Sequence, residues 1–204
     1  MSAWQLGGLA LLGALHGINP AMGWLFAVLR GIQENARRAV FIALALVAVG
    51  HLVSVGVTIG IVEGSQHVVS ETVIRLVGAS LLVAFAAWKL LATRAHPRWV
   101  GLRIGAVELA FWSFLMSTAH GAGLMLLPIA TTVVHAHETA AGGLLWGGAA
   151  ASVHTLAMVV VAGVVAVLVY DVVGLNVLRR AWINLDKVWA LALLGAAAVM
   201  LLEP

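Results

Sequence analysis

Predominantly apolar runs of about 20 residues, the length a helix needs to cross a hydrocarbon core of roughly 30 Å, recur along the whole of this chain of 204 residues. With 63% of residues hydrophobic and 9% charged, a soluble domain would have to expose a very large apolar surface. The pattern therefore predicts an all-α polytopic membrane protein, a single transmembrane domain over residues 1–204 with lipid as its surroundings. Cysteine is absent, which excludes disulfides, thiolate metal sites and dithiol redox chemistry. The net charge of +3 is topological and carries no expectation of a nucleic-acid partner.

Six spans are expected, at about residues 6–29, 39–62, 72–91, 104–133, 142–169 and 188–202. The first follows Met1-Ser2-Ala3-Trp4-Gln5, which has no basic segment and no small-residue cleavage site after it, so it reads as a mature helix and not a signal peptide. Asn19-Pro20 interrupts it, because proline removes a backbone donor and disfavours helix at the residue before it. Leu76-Val77-Gly78-Ala79-Ser80-Leu81 in the third span is echoed by Leu193-Leu194-Gly195-Ala196-Ala197-Ala198 in the sixth. The chain thus reads as three helices used twice: repeat one 1–93, repeat two 103–204, and a polar cytoplasmic linker 94–102. Residues 177–182 form an amphipathic piece expected to lie in the interface.

Ten of the eleven basic residues fall in alternate connections: Arg30, Arg37 and Arg38; Lys89, Arg94, Arg98 and Arg103; Arg179, Arg180 and Lys187. Arg75 is the exception. The positive-inside rule puts these connections in the cytoplasm of a bacterial inner membrane and both termini in the periplasm, with Glu63, Glu71 and Glu138 outside. An odd-numbered unit used twice must cross in opposite directions, so the halves are expected to be inverted about an axis in the membrane plane. Trp24, Trp88, Trp99, Trp182 and Trp189 fall near the inner boundary and Trp4 and Trp146 near the outer, as aromatic belts do.

Histidine occurs where it is most costly. Leu15-His16-Gly17-Ile18-Asn19-Pro20-Ala21-Met22 is matched 104 residues later by Ala119-His120-Gly121-Ala122-Gly123-Leu124-Met125, each with a proline following, Pro20 and Pro128. His51 and His154, 103 residues apart, repeat the register in the next run of each half. Inversion brings all four close to the bilayer midplane, with His16 near His120 and His51 near His154 if the first helices of the two units face each other. Ionisable groups at that depth face the bundle interior and mark a pathway or site.

Imidazole binds Zn, Cu, Fe and Ni, and thioether sulfur shifts the preference toward copper. Met116 precedes His120 by four residues and Met158 follows His154 by four, so each pair shares a helix face. Met22 and Met125 follow His16 and His120. The candidate metal ligands are therefore His16, His51, His120 and His154 with Met22, Met116, Met125 and Met158, although methionine at such positions is also ordinary core filler. Gly17, Gly121, Asn19 and Pro20 are candidate substrate contacts. Glycine equally permits close helix packing, and Asn19 equally caps the half-helix after Pro20. No carboxylate accompanies the histidines, which argues against a hydrolytic two-metal centre and against Mg or Ca. His67, His135 and His137 lie on the outer side, where they either capture metal or are simply solvated.

Six helices in two inverted units, with an early helix broken at proline, resemble the broad superfamily of LysE-type exporters, the CcdA/DsbD membrane domain, and nickel/cobalt permeases of the NicO and HupE type. The resemblance spans the whole chain as architecture and implies a small-solute or metal transporter. In CcdA-like proteins the paired early helices carry redox cysteines, and His16 and His120 stand at roughly those places here. The nickel permeases pair an early-helix His with Asp, which His16 lacks. The expectation is a non-enzymatic transporter of a copper, nickel or zinc-class ion, working by alternating access with Pro20 and Pro128 as hinges and open to assembly as a homo-oligomer. Its rivals are a LysE-like amino-acid exporter, a membrane redox protein with His-ligated haem or copper, and a membrane enzyme with a histidine-bound metal, which lacks a midplane acid or base.

Overall fold

A computed structural model describes residues 1–65, 69–91, 105–126, 128, 140–173 and 185–202. Among these residues there is no strand. The helices are α1 (Ala3–Ile18), α2 (Trp24–Gln33), α3 (Arg37–Ser65), α4 (Glu71–Leu91), α5 (Ala106–Ala119), α6 (Ala122–Met125), α7 (Ala140–Leu168) and α8 (Leu185–Leu202), with a π-helical turn at Val169–Val173. Two stretches, Arg37–Val62 in α3 and Leu145–Val172 through α7, are long and apolar enough to cross a membrane. Ala3–Ile18, Thr72–Trp88, Ala106–Ala119 and Leu193–Leu202 are apolar but shorter. The linker 94–102, the segment 177–182, His67, His135, His137, Trp99, Trp182 and the Trp189 side chain lie outside the described residues.

Large apolar side chains face outward as well as inward, and a few polar ones are buried among the apolar core. Val57, Ile61, Leu156, Val160 and Val164 stand on outward faces of the two long helices, while the histidines of the same helices are fully buried. Exposed large apolar surface combined with buried polar groups is what a hydrocarbon environment rewards.

The break at Asn19-Pro20 is built as the sequence requires. α1 stops at Ile18, Asn19 takes an extended conformation (φ −71°, ψ 118°), and Pro20–Met22 makes one tight turn. The Asn19 Oδ1 accepts from the Ala21 N–H at 3.0 Å, which satisfies one donor left over at the new helix start. Gly23, with φ +117°, reverses the backbone into α2 where a residue with a Cβ would be strained. The Trp24 indole N–H then reaches back to the Ile18 carbonyl at 3.1 Å. Trp24 is consequently 5% exposed and sits in the core, not in an aromatic belt; Trp4, Trp88 and Trp146 are exposed, as belt residues would be.

In the second half the break falls earlier than the sequence reading placed it. Among the described residues the expected fourth span is interrupted before Pro128: α5 ends at Ala119, His120 closes it, and Gly121 (φ +70°) opens α6, while the residues on either side of Pro128 lie outside the described residues. The positive φ at Gly121, upstream of the proline, is the physical cause.

The helices pair reciprocally. α1 packs along α7 and α5 along α3, α3 packs on α7, and α4 packs on α8. Exchanging the two halves maps each of these pairings onto another or onto itself. The first helix of each half therefore lies against the second helix of the other, not against its own counterpart. Small residues permit this approach. A Cβ on Gly13 would overlap the His154 carbonyl oxygen, one on Gly17 the Met158 carbonyl oxygen, and one on Gly50 the Ala110 carbonyl oxygen.

Polar contacts fix which ends coincide. Arg37 at the start of α3 pairs with Asp171 beyond α7 at 3.1 Å. Arg75, the basic residue that broke the loop pattern, lies near the start of α4 and donates from Nε to the Met200 carbonyl in the last turn of α8, 3.1 Å away. A cation there satisfies a carbonyl that the helix end leaves over.

Candidate functional site

The interior of the bundle holds three imidazoles in mutual contact, one from each of three helices. His16 on α1, His51 on α3 and His154 on α7 are all fully buried. Their ring centroids form a nearly equilateral triangle with sides of 5.5 Å (His16 to His51), 4.9 Å (His16 to His154) and 5.3 Å (His51 to His154). The sequence-predicted pair His51 and His154 is thus adjacent, and His16 joins it because α1 lies along α7. His120 is 4% exposed at the end of α5, within electrostatic reach of His16.

Each half anchors its first histidine the same way. The His16 Nδ1–H donates to the Leu12 carbonyl at 2.8 Å, and the His120 Nδ1–H donates to the Met116 carbonyl at 2.8 Å. A carbonyl can only accept, so Nδ1 carries the proton and Nε2 carries the lone pair in both neutral rings. Fixing a ring through one nitrogen and presenting the other is how ligating histidines are oriented.

The second histidines differ. His51 Nδ1 hydrogen-bonds the Ser117 hydroxyl at 2.8 Å, and its Nε2 is buried with no partner. The His154 ring faces the Leu9 carbonyl of α1 and has no side-chain partner, so at least one of its buried nitrogens is unpartnered, as is the hydroxyl of neighbouring Thr155. The sequence accounts for the asymmetry: the residue three before His120 is Ser117, whereas the residue three before His16 is Gly13. Where α5 offers a hydroxyl to the ring facing it, α1 offers close approach at Gly13 and the Leu9 carbonyl. Unpartnered buried polar atoms are rare enough that one on each of two touching rings calls for a ligand or water.

Sequence reasoning missed the hydroxyls that build this site. Ser113 donates to the Val47 carbonyl at 2.7 Å, Ser117 meets His51, and Thr118 meets Ser54 at 2.9 Å, so α5 is stitched to α3 along its buried face. The signal was present: Ser113, Ser117 and His120 recur at helical spacing on α5, and His51, Ser54 and Thr58 do so on α3.

The other candidates are placed as follows. Met158 lies in the apolar cluster with Trp24, Val28, Leu44 and Leu109, and Met125 in that with Leu82, Leu193 and Met200. Met22 is buried and Met116 half-buried. Gly17 serves the α1–α7 approach, Gly121 the α5–α6 break, and Asn19 and Pro20 the α1–α2 break. Among the described residues, no three His, Asp or Glu side chains stand in ligating geometry for a metal ion as placed.

No family model, curated protein sequence or solved structure matches this chain.

Proposed function

We propose that this chain is a multi-pass membrane transporter of a transition-metal ion of the copper, nickel or zinc class. Its six spans form two inverted three-helix units, and the ion passes through the histidine site by alternating access. The observation that carries the reading is the triangle of His16, His51 and His154. Three costly, fully buried imidazoles from both halves of the chain meet at one place, and two of them retain unpartnered nitrogens. A ligating nitrogen at about 2.1 Å puts its ring centroid about 3.2 Å from an ion, so rings at tetrahedral angles stand about 5.2 Å apart. The sides of the triangle, 4.9 to 5.5 Å, bracket that value. The His154 ring lies nearly parallel to that of His51 (16°), and its rotation is the adjustment that would turn a nitrogen inward to a shared ion.

The reciprocal pairing of helices supports the inverted duplication, and the broken first helix beside the site is what such transporters place there. Lipid is then the partner of the apolar outer faces, and the inner membrane the location, with both termini outside. The solute-exporter and haem-protein alternatives have no comparable observation behind them.

The test is metal content and metal-dependent transport. Protein purified in detergent is dialysed against Cu, Ni and Zn separately and analysed for bound metal, wild type beside His51→Ala and His154→Ala; the same three are reconstituted into vesicles for uptake. Bound metal and uptake that both fall in the variants support the proposal. Equal metal content in all three removes it.

A further inference from the structure

We infer that the ion this site accepts is a monovalent soft cation, Cu(I) or its congener Ag(I), and not a divalent one. The inference rests on the transport reading above and narrows it. The first ground is charge. The buried polar side chains among the described residues are histidines, hydroxyls and Asn19, with no carboxylate. A neutral donor set offers a cation no countercharge, and the cost of moving an ion out of water rises with the square of its charge. A divalent ion at the triangle is therefore opposed about four times as strongly as a monovalent one.

The second ground is the number and kind of donors. The three contacting rings make a three-sided site. Zinc held by three histidines takes a water as its fourth ligand, and in this buried site that water would have to be carried in with the ion. The hard divalent ions ask for six or more oxygens; among the described residues the hydroxyls of Ser54, Ser113 and Ser117 are engaged between α3 and α5, and the unpartnered Thr155 hydroxyl beside His154 falls far short of that number. A filled-shell monovalent ion imposes no geometric preference of its own and accepts three nitrogens. The third ground is orientation: a carbonyl holds the His16 ring through Nδ1–H, which places that ring's lone pair on Nε2, and the Ser117 hydroxyl, able to donate or accept, lets His51 adopt the same tautomer. No bond forms or breaks beyond coordination, and no redox step is required.

The experiment uses the full chain in lipid nanodiscs, titrated with four probes in parallel: silver nitrate, Cu(I) held reduced by ascorbate against a chromogenic Cu(I) chelator, zinc sulfate and nickel sulfate. The expected result is one Ag(I) or Cu(I) per chain, bound at least about 100-fold more tightly than zinc or nickel. His51→Ala and His154→Ala each weaken it by more than about 100-fold, and Ser117→Ala, which keeps all three rings, weakens it by about 10- to 100-fold. Zinc or nickel binding as tightly as silver, with loss in the same variants, would overturn the monovalent assignment and leave the transport site standing. Silver binding that survives every variant overturns it too. Failure of all four probes to bind takes down both readings.

Discussion

Replacing Gly50 by alanine tests the packing on which the site depends. A Cβ there would overlap the Ala110 carbonyl oxygen and stand 2.9 Å from both the Phe114 nitrogen and the Ser113 Cβ, all on α5. These are backbone and short side-chain atoms, so relief requires α3 and α5 to separate. Two hydrogen bonds span that contact: Ser113 to the Val47 carbonyl at 2.7 Å and His51 to Ser117 at 2.8 Å. Overpacking a tight contact costs about 1–3 kcal/mol. Each interhelical hydrogen bond weakened in a membrane adds about 0.6 kcal/mol. The intrinsic preference of a helix for alanine over glycine returns about 0.5–1 kcal/mol. The net loss expected for Gly50→Ala is therefore about 1–4 kcal/mol. Gly56 and Gly60 on the same helix have nothing within 4 Å of a built Cβ, so alanine at either is neutral or slightly stabilising. The assay is unfolding of the purified protein by SDS in mixed micelles, followed by tryptophan fluorescence. A Gly50→Ala stability within about 0.5 kcal/mol of Gly56→Ala would refute the close approach of α3 and α5.

Three further outcomes are expected. Ser117→Ala removes the hydroxyl that fixes His51 without changing the packing volume much, and lowers Cu(I) affinity about 10- to 100-fold; an unchanged affinity in a chelator competition would show that this bond does not orient the ring. Trp24→Phe keeps the buried ring but leaves the Ile18 carbonyl without its indole donor, and costs about 1–2 kcal/mol in the same SDS titration. Cysteines introduced singly into this cysteine-free chain at Glu34, Arg37 and Ser65 report sidedness: a membrane-impermeant maleimide added to intact cells labels Ser65→Cys and spares the other two. The opposite pattern reverses the orientation.

Much of the outline was legible without coordinates because it is written along single helices. Apolar runs gave the helices, Asn19-Pro20 the first break, and the spacing of His16, His51, His120 and His154 the fact of a repeated polar register. Local chemistry suffices for these, since a proline lacks its donor and an apolar face repeats at helical spacing wherever the helix later packs. The methionines show where such reading stops: four residues from a histidine places Met158 on a shared face, yet that face also meets the core cluster of Trp24 and Leu44.

What the chain alone determined is thus its helical, apolar character and the depth at which each histidine sits along its own helix. Which rings meet was decided only by tertiary packing. Helical period fixes the face a side chain occupies and says nothing about which helix covers it. That choice was made by Gly13, Gly17 and Gly50, which let α1 close on α7 and α3 on α5 and so bring His16 to His51 and His154. The break at Gly121, the burial of Trp24 and the bond from Ser117 to His51 follow from the same contacts between segments far apart in sequence.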